Sequence, residues 1–138
     1  MSDINIGQIT EALNDKTDRD MRNVDNTAGA DAVIAYQTPD PNNDYKWYRK
    51  YASGWVEQGG KTTQTATSSV NATILFPVEM QGTEYTITFS VCSSVANDGA
   101  ESSVLVQTSV GMNLHADSMS STSGTKGFMW EVKGMAHA

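Results

Sequence analysis

The spacing of hydrophobic residues changes once along this chain. Up to residue 26, Ile6, Ile9, Leu13, Thr17, Met21 and Val24 recur at intervals of three and four with polar residues between them, which is the stripe of an amphipathic helix. A lone helix of that length is marginal in water, so the stripe predicts a partner. That partner is either the same stripe in other copies, forming a short coiled coil with a stutter at the three successive intervals of four, or the chain's own domain. From residue 45 onward the interval is two. Tyr45, Trp47, Arg49 and Tyr51 alternate with Lys46, Tyr48 and Lys50. Tyr85, Ile87, Phe89 and Val91 alternate with Glu84, Thr86, Thr88 and Ser90, and Phe128, Trp130 and Val132 are opposed by Met129, Glu131 and Lys133. Each run predicts a half-buried strand.

Turn residues divide these runs. Ala52-Ser53-Gly54 predicts the loop of a hairpin whose second strand starts at Trp55 and stops at Gly59-Gly60. Asn71 to Phe76 is apolar enough for a core strand, ended by Pro77, which has no N–H to give the ladder. Gln81-Gly82 and Asn97-Asp98-Gly99 mark further turns, and Val104, Val106 and Val110 continue the alternation. Gly111 to Gly124, where Met112, Leu114, His115 and Met119 are scattered among polar, mostly serine, residues with no period of two or of 3.6, is expected to be a surface loop, either solvated linker or binding element. Three segments follow: a helical stalk over 1–26, a linker over 27–44, and a β domain over 45–138. The linker carries one apolar island, Val33 to Tyr36, which predicts a short edge strand or a clamp on a neighbouring chain. Many short strands with glycine turns and no helical period after residue 26 predict a mainly β, antiparallel β-sandwich.

One stretch is distinctive. Tyr45 to Gly60 holds two of the three tryptophans and three of the five tyrosines. Arg49, Tyr51 and the run Ser53-Gly54-Trp55-Val56-Glu57-Gln58-Gly59-Gly60 resemble the signature of a C-terminal domain found on phage and prophage tail fibres. Ile74-Leu75-Phe76-Pro77, Tyr85 to Phe89 and Phe128-Met129-Trp130-Glu131-Val132-Lys133-Gly134 follow in that family's order. Leu13-Asn14-Asp15-Lys16 and Asp18-Arg19-Asp20 resemble linkers that join segments of trimeric fibres. The resemblance covers about residue 45 to the end. It implies a homotrimer with Ile6, Ile9, Leu13, Met21 and Val24 at the trimer seam, and a β-sandwich tip that binds a host cell-surface glycan or outer-surface protein. A protein made in the host cytoplasm would then act outside it, on the virion's distal tail fibre. The alternatives are a structural capping or trimerisation module without a ligand and, third, a polysaccharide depolymerase.

Composition narrows the chemistry. A formal charge of -7 argues against nucleic acid, whose phosphates call for a basic patch. No apolar run approaches the ~20 residues of a membrane span, and the N-terminus lacks the basic-then-apolar order of a secretory signal. Cys92 is the only cysteine, so no internal disulfide forms, and its place after the Tyr85–Val91 run predicts a buried small apolar residue. No Gly-x-Ser-x-Gly elbow occurs, and no spacing singles out a carboxylate pair among Glu57, Glu79, Glu84, Asp98, Glu101 and Asp117. The expectation is no enzyme, no cofactor and no metal site.

Two sets of residues are candidates for receptor binding. Loop residues Asn97, Asp98, Glu101, Asn113, His115 and Asp117 form the first, because loops carry recognition on a rigid sheet. The aromatic residues Tyr45, Trp47 and Tyr48 form the second. Trp55, Phe76, Tyr85, Ile87, Phe89, Phe128 and Trp130 are expected in the core. Glu57 and Gln58 are expected to be hydrogen-bonded to neighbouring backbone, since an unpaired buried carboxylate is costly.

Overall fold

Two twelve-residue strands, Trp55–Ala66 and Gly124–Met135, pair along their whole length, from Trp55 opposite Met135 to Ala66 opposite Gly124. The computed structural model describes residues 29–138, and in it this pair is the spine of a five-stranded antiparallel sheet. In chain order the strands are β1 (Val33–Gln37), β2 (Trp47–Tyr51), β3 (Trp55–Ala66), β4 (Val70–Leu75), β5 (Thr86–Ser93), β6 (Glu101–Gln107), β7 (Gly111–Asp117) and β8 (Gly124–Met135). The larger sheet has the order β1-β2-β3-β8-β5, and β4-β7-β6 form a second, three-stranded sheet. The described residues are thus mainly antiparallel β in two sheets. The predicted stalk, with Ile6, Ile9, Leu13, Met21 and Val24, lies outside them.

The two sheets share one core. From the larger sheet come Val56, Phe128, Trp130 and Val132; from the smaller come Val70, Ile74, Met112, Leu114 and Ala116. Phe76, just beyond β4, packs edge-on to Tyr85 at 5.3 Å and lies tilted against Trp130 at 5.8 Å. Tyr85 spans the sheets by donating its hydroxyl to the Thr108 carbonyl at 2.6 Å. Phe76, Tyr85, Phe128 and Trp130 are buried, while Ile87 and Phe89 are half-buried against the same cluster. The alternation of β5 and β8 has the expected phase.

Trp55 does not join the core: it is 41% exposed. In β3 the inward positions are Val56 and Gln58, so Trp55 falls on the outer face with Glu57 and opposite Met135. Gln58 is fully buried, and its amide donates to the Val78 carbonyl and accepts from the Val78 N–H, both at 2.9 Å. That tie holds the segment after Pro77 against β3. Glu57 instead accepts from the Tyr51 hydroxyl at 2.8 Å. Cys92 is half-buried rather than enclosed, because alternation puts it on the face opposite Val91.

Three further expectations are corrected. Gly59-Gly60 does not end its strand, which runs on to Ala66. Gly111 to Gly124 is not one loop: its first half is β7, the central strand of the smaller sheet, with Met112, Leu114 and Ala116 turned inward. Pairing on both sides, to β4 and β6, supplies the strand with a setting that its own polar composition does not announce. The aromatic strand starts at Trp47 rather than Tyr45, since Asp44 and Tyr45 turn through the left-handed region with φ of 61° and 55°. Val33 to Tyr36 pairs with β2 of the same chain.

Candidate functional site

The left-handed pair Asp44-Tyr45 is built by the preceding loop. Asp40 caps a 3-10 turn over Pro41–Asn43 by accepting from the Asn42 N–H, and Tyr45 N–H returns to the Asp40 carbonyl at 2.9 Å. The Asp44 carbonyl accepts from Lys61 N–H at 2.8 Å, which fastens the loop to β3. Two successive non-glycine residues at positive φ store local strain, and such strain gathers at ligand clamps and active sites. Here it leaves the Tyr45 side chain 46% exposed beside Trp47.

Trp47 takes its place because a glycine, Gly59, stands opposite it, and Gly60 does the same for Trp130 on the other face. A side-chain carbon on Gly59 would lie 2.7 Å from Trp47 Nε1, and one on Gly60 would lie 3.0 Å from Trp130 Nε1. Gly59 and Gly60 point to opposite faces, so each face of β3 loses its side chain where a tryptophan ring lies across it. Trp130 fills the inner seat and Trp47 the outer one. On the outer face a groove of about 520 Å³ results, with Pro39, Tyr45, Trp47 and Met129 beside Lys61, Glu131, Thr88 and Ser90. A second hollow of about 480 Å³ shares Pro39 and Trp47 and reaches Val33, Tyr36 and Arg49. Such a surface offers flat apolar faces next to hydrogen-bonding groups of both kinds.

The neighbouring row of the sheet is polar and internally paired. Arg49, Glu57 and Lys133 lie in register across β2, β3 and β8. Lys133 Nζ is 3.2 Å from Glu131 and 3.6 Å from Glu57, and hydrogen bonding to Glu131 raises its pKa first, with the charge of Glu57 adding to it. The hydrogen bond to Glu57 likewise raises the Tyr51 hydroxyl above its ordinary value.

The structure divides both candidate sets. Tyr45 and Trp47 line the groove, but Tyr48 has the opposite phase and packs against the core. Of the six loop residues, Glu101, Asn113, His115 and Asp117 come together on the outer face of the smaller sheet. Glu101 pairs with Asp117 across β6 and β7, and Asn113 and His115 stand in the middle of β7. Two of them are engaged by the neighbouring strand β4: His115 Nδ1 is 3.2 Å from Asn71 Oδ1, and Asn113 donates to Thr73 Oγ1 at 3.3 Å. Asn97 sits apart at a left-handed turn position with φ 57°. Asp98 is withdrawn altogether, its side chain 1% exposed and 2.9 Å from the buried Lys126 Nζ.

Sequence reasoning missed Tyr36, Pro39 and Met129 at the groove and the hollow beside it. The only trace they left was an apolar residue at an outward position of β8, Met129, and the aromatic in the island over 33–36. Among the described residues no group of three or more His, Cys, Asp or Glu side chains is placed to hold a metal ion.

The fold and groove define a mainly antiparallel β domain with an aromatic hollow on its larger sheet. No protein-family model matches the sequence, and no curated protein matches it. In fold the chain is similar to the P. aeruginosa R1 pyocin fibre comprising C-terminal residues 323–701, with TM-score 0.52 and 11% identity over 83% of this chain and 31% of that one. It is equally similar to an N-truncated R1-type pyocin tail fibre, with TM-score 0.52 and 11% identity over 83% of this chain and 95% of that one. The chain therefore spans about a third of the first structure's length and nearly all of the second's.

Proposed function

We propose that this chain is the receptor-binding part of the tail fibre of a phage or phage-like particle, acting outside the cell as a homotrimer and holding a host-surface saccharide in the groove beside Trp47. The observation that carries this reading is the groove itself, in a fold similar to that of pyocin tail fibres. A pyranose ring has an apolar face that lies against an aromatic ring and a rim of hydroxyls that need donors and acceptors. Trp47 and Tyr45 supply the first, and Lys61, Glu131, Thr88 and Ser90 the second. A shallow site of this kind binds weakly, and three copies on one tip raise the apparent affinity by avidity. No residue is assigned a catalytic role.

The test is glycan-array binding of the purified chain alongside the variants Trp47→Ala and Tyr45→Ala. The wild type is expected to retain a defined class of host-surface glycans, and both variants are expected to lose it while keeping the β circular-dichroism spectrum. A wild type that retains no glycan would overturn the proposal and favour a purely structural fibre module, and folded variants that retain it equally would overturn the groove beside Trp47 as the site.

A further inference from the structure

β1 forms one margin of the larger sheet: β2 pairs with one side of it, and among the described residues no strand pairs with the other. Its side chains are unusual for such a position. Val33, Ile34 and Tyr36 are 47%, 60% and 70% exposed, and the strand, VIAYQ, contains neither a charge nor a proline. An edge strand presents a row of unpaired N–H and C=O groups, and proteins ordinarily blunt it with lysine, proline, a bulge or a cover. The only such device here is the irregularity in pairing between Val33 and Ala35, which leaves the apolar side chains in the open.

The position of β1 in the chain bears on which partner could cover it. Six residues, 27–32, separate the segment over 1–26, which carries the apolar stripe in its sequence, from Val33, so fully extended chain carries Val33 no more than about 25 Å from the end of that segment. The approach is also fixed in direction, since Ala52 N–H donates to the Ala32 carbonyl at 2.8 Å and Ser53 N–H to the Ala30 carbonyl at 3.0 Å. Copies associated through residues 1–26 therefore carry their β1 strands close to a common axis. At so short a tether the effective concentration of one strand for its neighbour is on the order of millimolar, enough to form an apolar contact too weak to hold free chains together.

We propose that β1 is a subunit contact, its Val33, Ile34 and Tyr36 covered by a second copy of this chain next to the association of residues 1–26. This rests on the homotrimer reading above. In a three-fold ring the contact is heterologous, one surface of each copy meeting a different surface of the next. A second exposed apolar group, Leu75, Leu105 and Val106 on the smaller sheet with Val110 in the turn between β6 and β7, lies much further along the chain from that segment and serves as the control.

Ile34 and Leu105 are similarly exposed in the single chain, at 60% and 55%, so thiols placed at either react alike unless assembly covers one of them. The 138-residue chain with Cys92→Ser carries either Ile34→Cys or Leu105→Cys, sedimentation fixes the oligomeric state, and the rate of maleimide labelling is measured in the same sample. In the trimer, the thiol introduced at position 34 is expected to react about tenfold or more slowly than that at 105, because reaction then requires local opening. Equal rates in a confirmed trimer overturn the β1 contact and leave the homotrimer standing. A monomer at micromolar concentration overturns both.

Discussion

Lys126 Nζ lies 2.9 Å from Asp98 Oδ2, and neither side chain reaches solvent. Lys126 has the inward phase of β8, two residues before Phe128, and its ammonium also donates to the carbonyls of Thr67 at 2.6 Å and Ser120 at 2.9 Å. Asp98 accepts from Ser93 Oγ at 2.7 Å and Ser120 N–H at 2.6 Å. One ion pair thus ties the turn after β3, the turn after β5 and the segment between β7 and β8. Removing one partner leaves the other charge buried and unpaired, whereas replacing both by apolar residues avoids that penalty. Asp98→Asn and Lys126→Met are each expected to lower Tm more than the double replacement Asp98→Leu with Lys126→Met, as thermal melts will show.

The same pair sets an acid limit. Hydrogen bonding from Lys126, first, and from Ser120 and Ser93 lowers the Asp98 carboxyl from 3.8 to about 2. The folded state therefore holds the proton less tightly than the unfolded chain, and the stability this gives is fully present above pH 4 and lost as pH falls through about 2. The Tm advantage of wild type over Asp98→Asn should be flat from pH 7 to 4 and shrink between 4 and 2. A gap that persists unchanged at pH 2 would show that the carboxylate charge is not its source.

The two motif tryptophans should behave differently. Trp130 is 4% exposed and Trp55 41%. Trp130→Ala is expected to cost about 3–5 kcal/mol as a core truncation, and Trp55→Ala within about 1 kcal/mol as a surface change. Urea unfolding of the two variants measures both.

Gly59 is required by what lies on it. An alanine there meets the Trp130 carbonyl at 2.6 Å as well as the Trp47 ring, and the backbone oxygen cannot swing aside as a side chain can. Gly59→Ala should destabilise the chain by about 1–3 kcal/mol, and adding Trp47→Ala should restore only part of the loss. Full recovery in the double variant would mean that the ring alone excludes the methyl.

Gln58 provides a test of the strand's buried polar tie. Gln58→Leu keeps the volume but strands the Val78 N–H and carbonyl that the amide serves, at a cost of roughly 1–3 kcal/mol for each buried group left unpaired. A melt indistinguishable from wild type would show that the Val78 groups find other partners.

The alternation of side chains is a local property of the pleat, and where one face is apolar and the other polar the sequence determines both strand and phase. That holds for β5 and β8, where Ile87 and Phe89 or Phe128, Trp130 and Val132 stand against threonine, serine, glutamate and lysine. It holds for the hairpin turn at Ala52-Ser53-Gly54, whose glycine adopts φ 93°. β3 escapes the rule because its residues come in like pairs, Trp55-Val56, Glu57-Gln58 and Gly59-Gly60, so either phase looks the same along the chain. Only the neighbours decide: Val78 claims Gln58, and rings from β2 and β8 claim the space over the two glycines. The tertiary structure alone likewise turned Asp98 from a loop carboxylate into a buried partner, since Lys126 is twenty-eight residues away in sequence and no local pattern joins them. The aromatic groove was half legible, in Tyr45 and Trp47. Its remaining walls come from β5, β8 and the loop before β2, which only the packing of the sheet brings to one place.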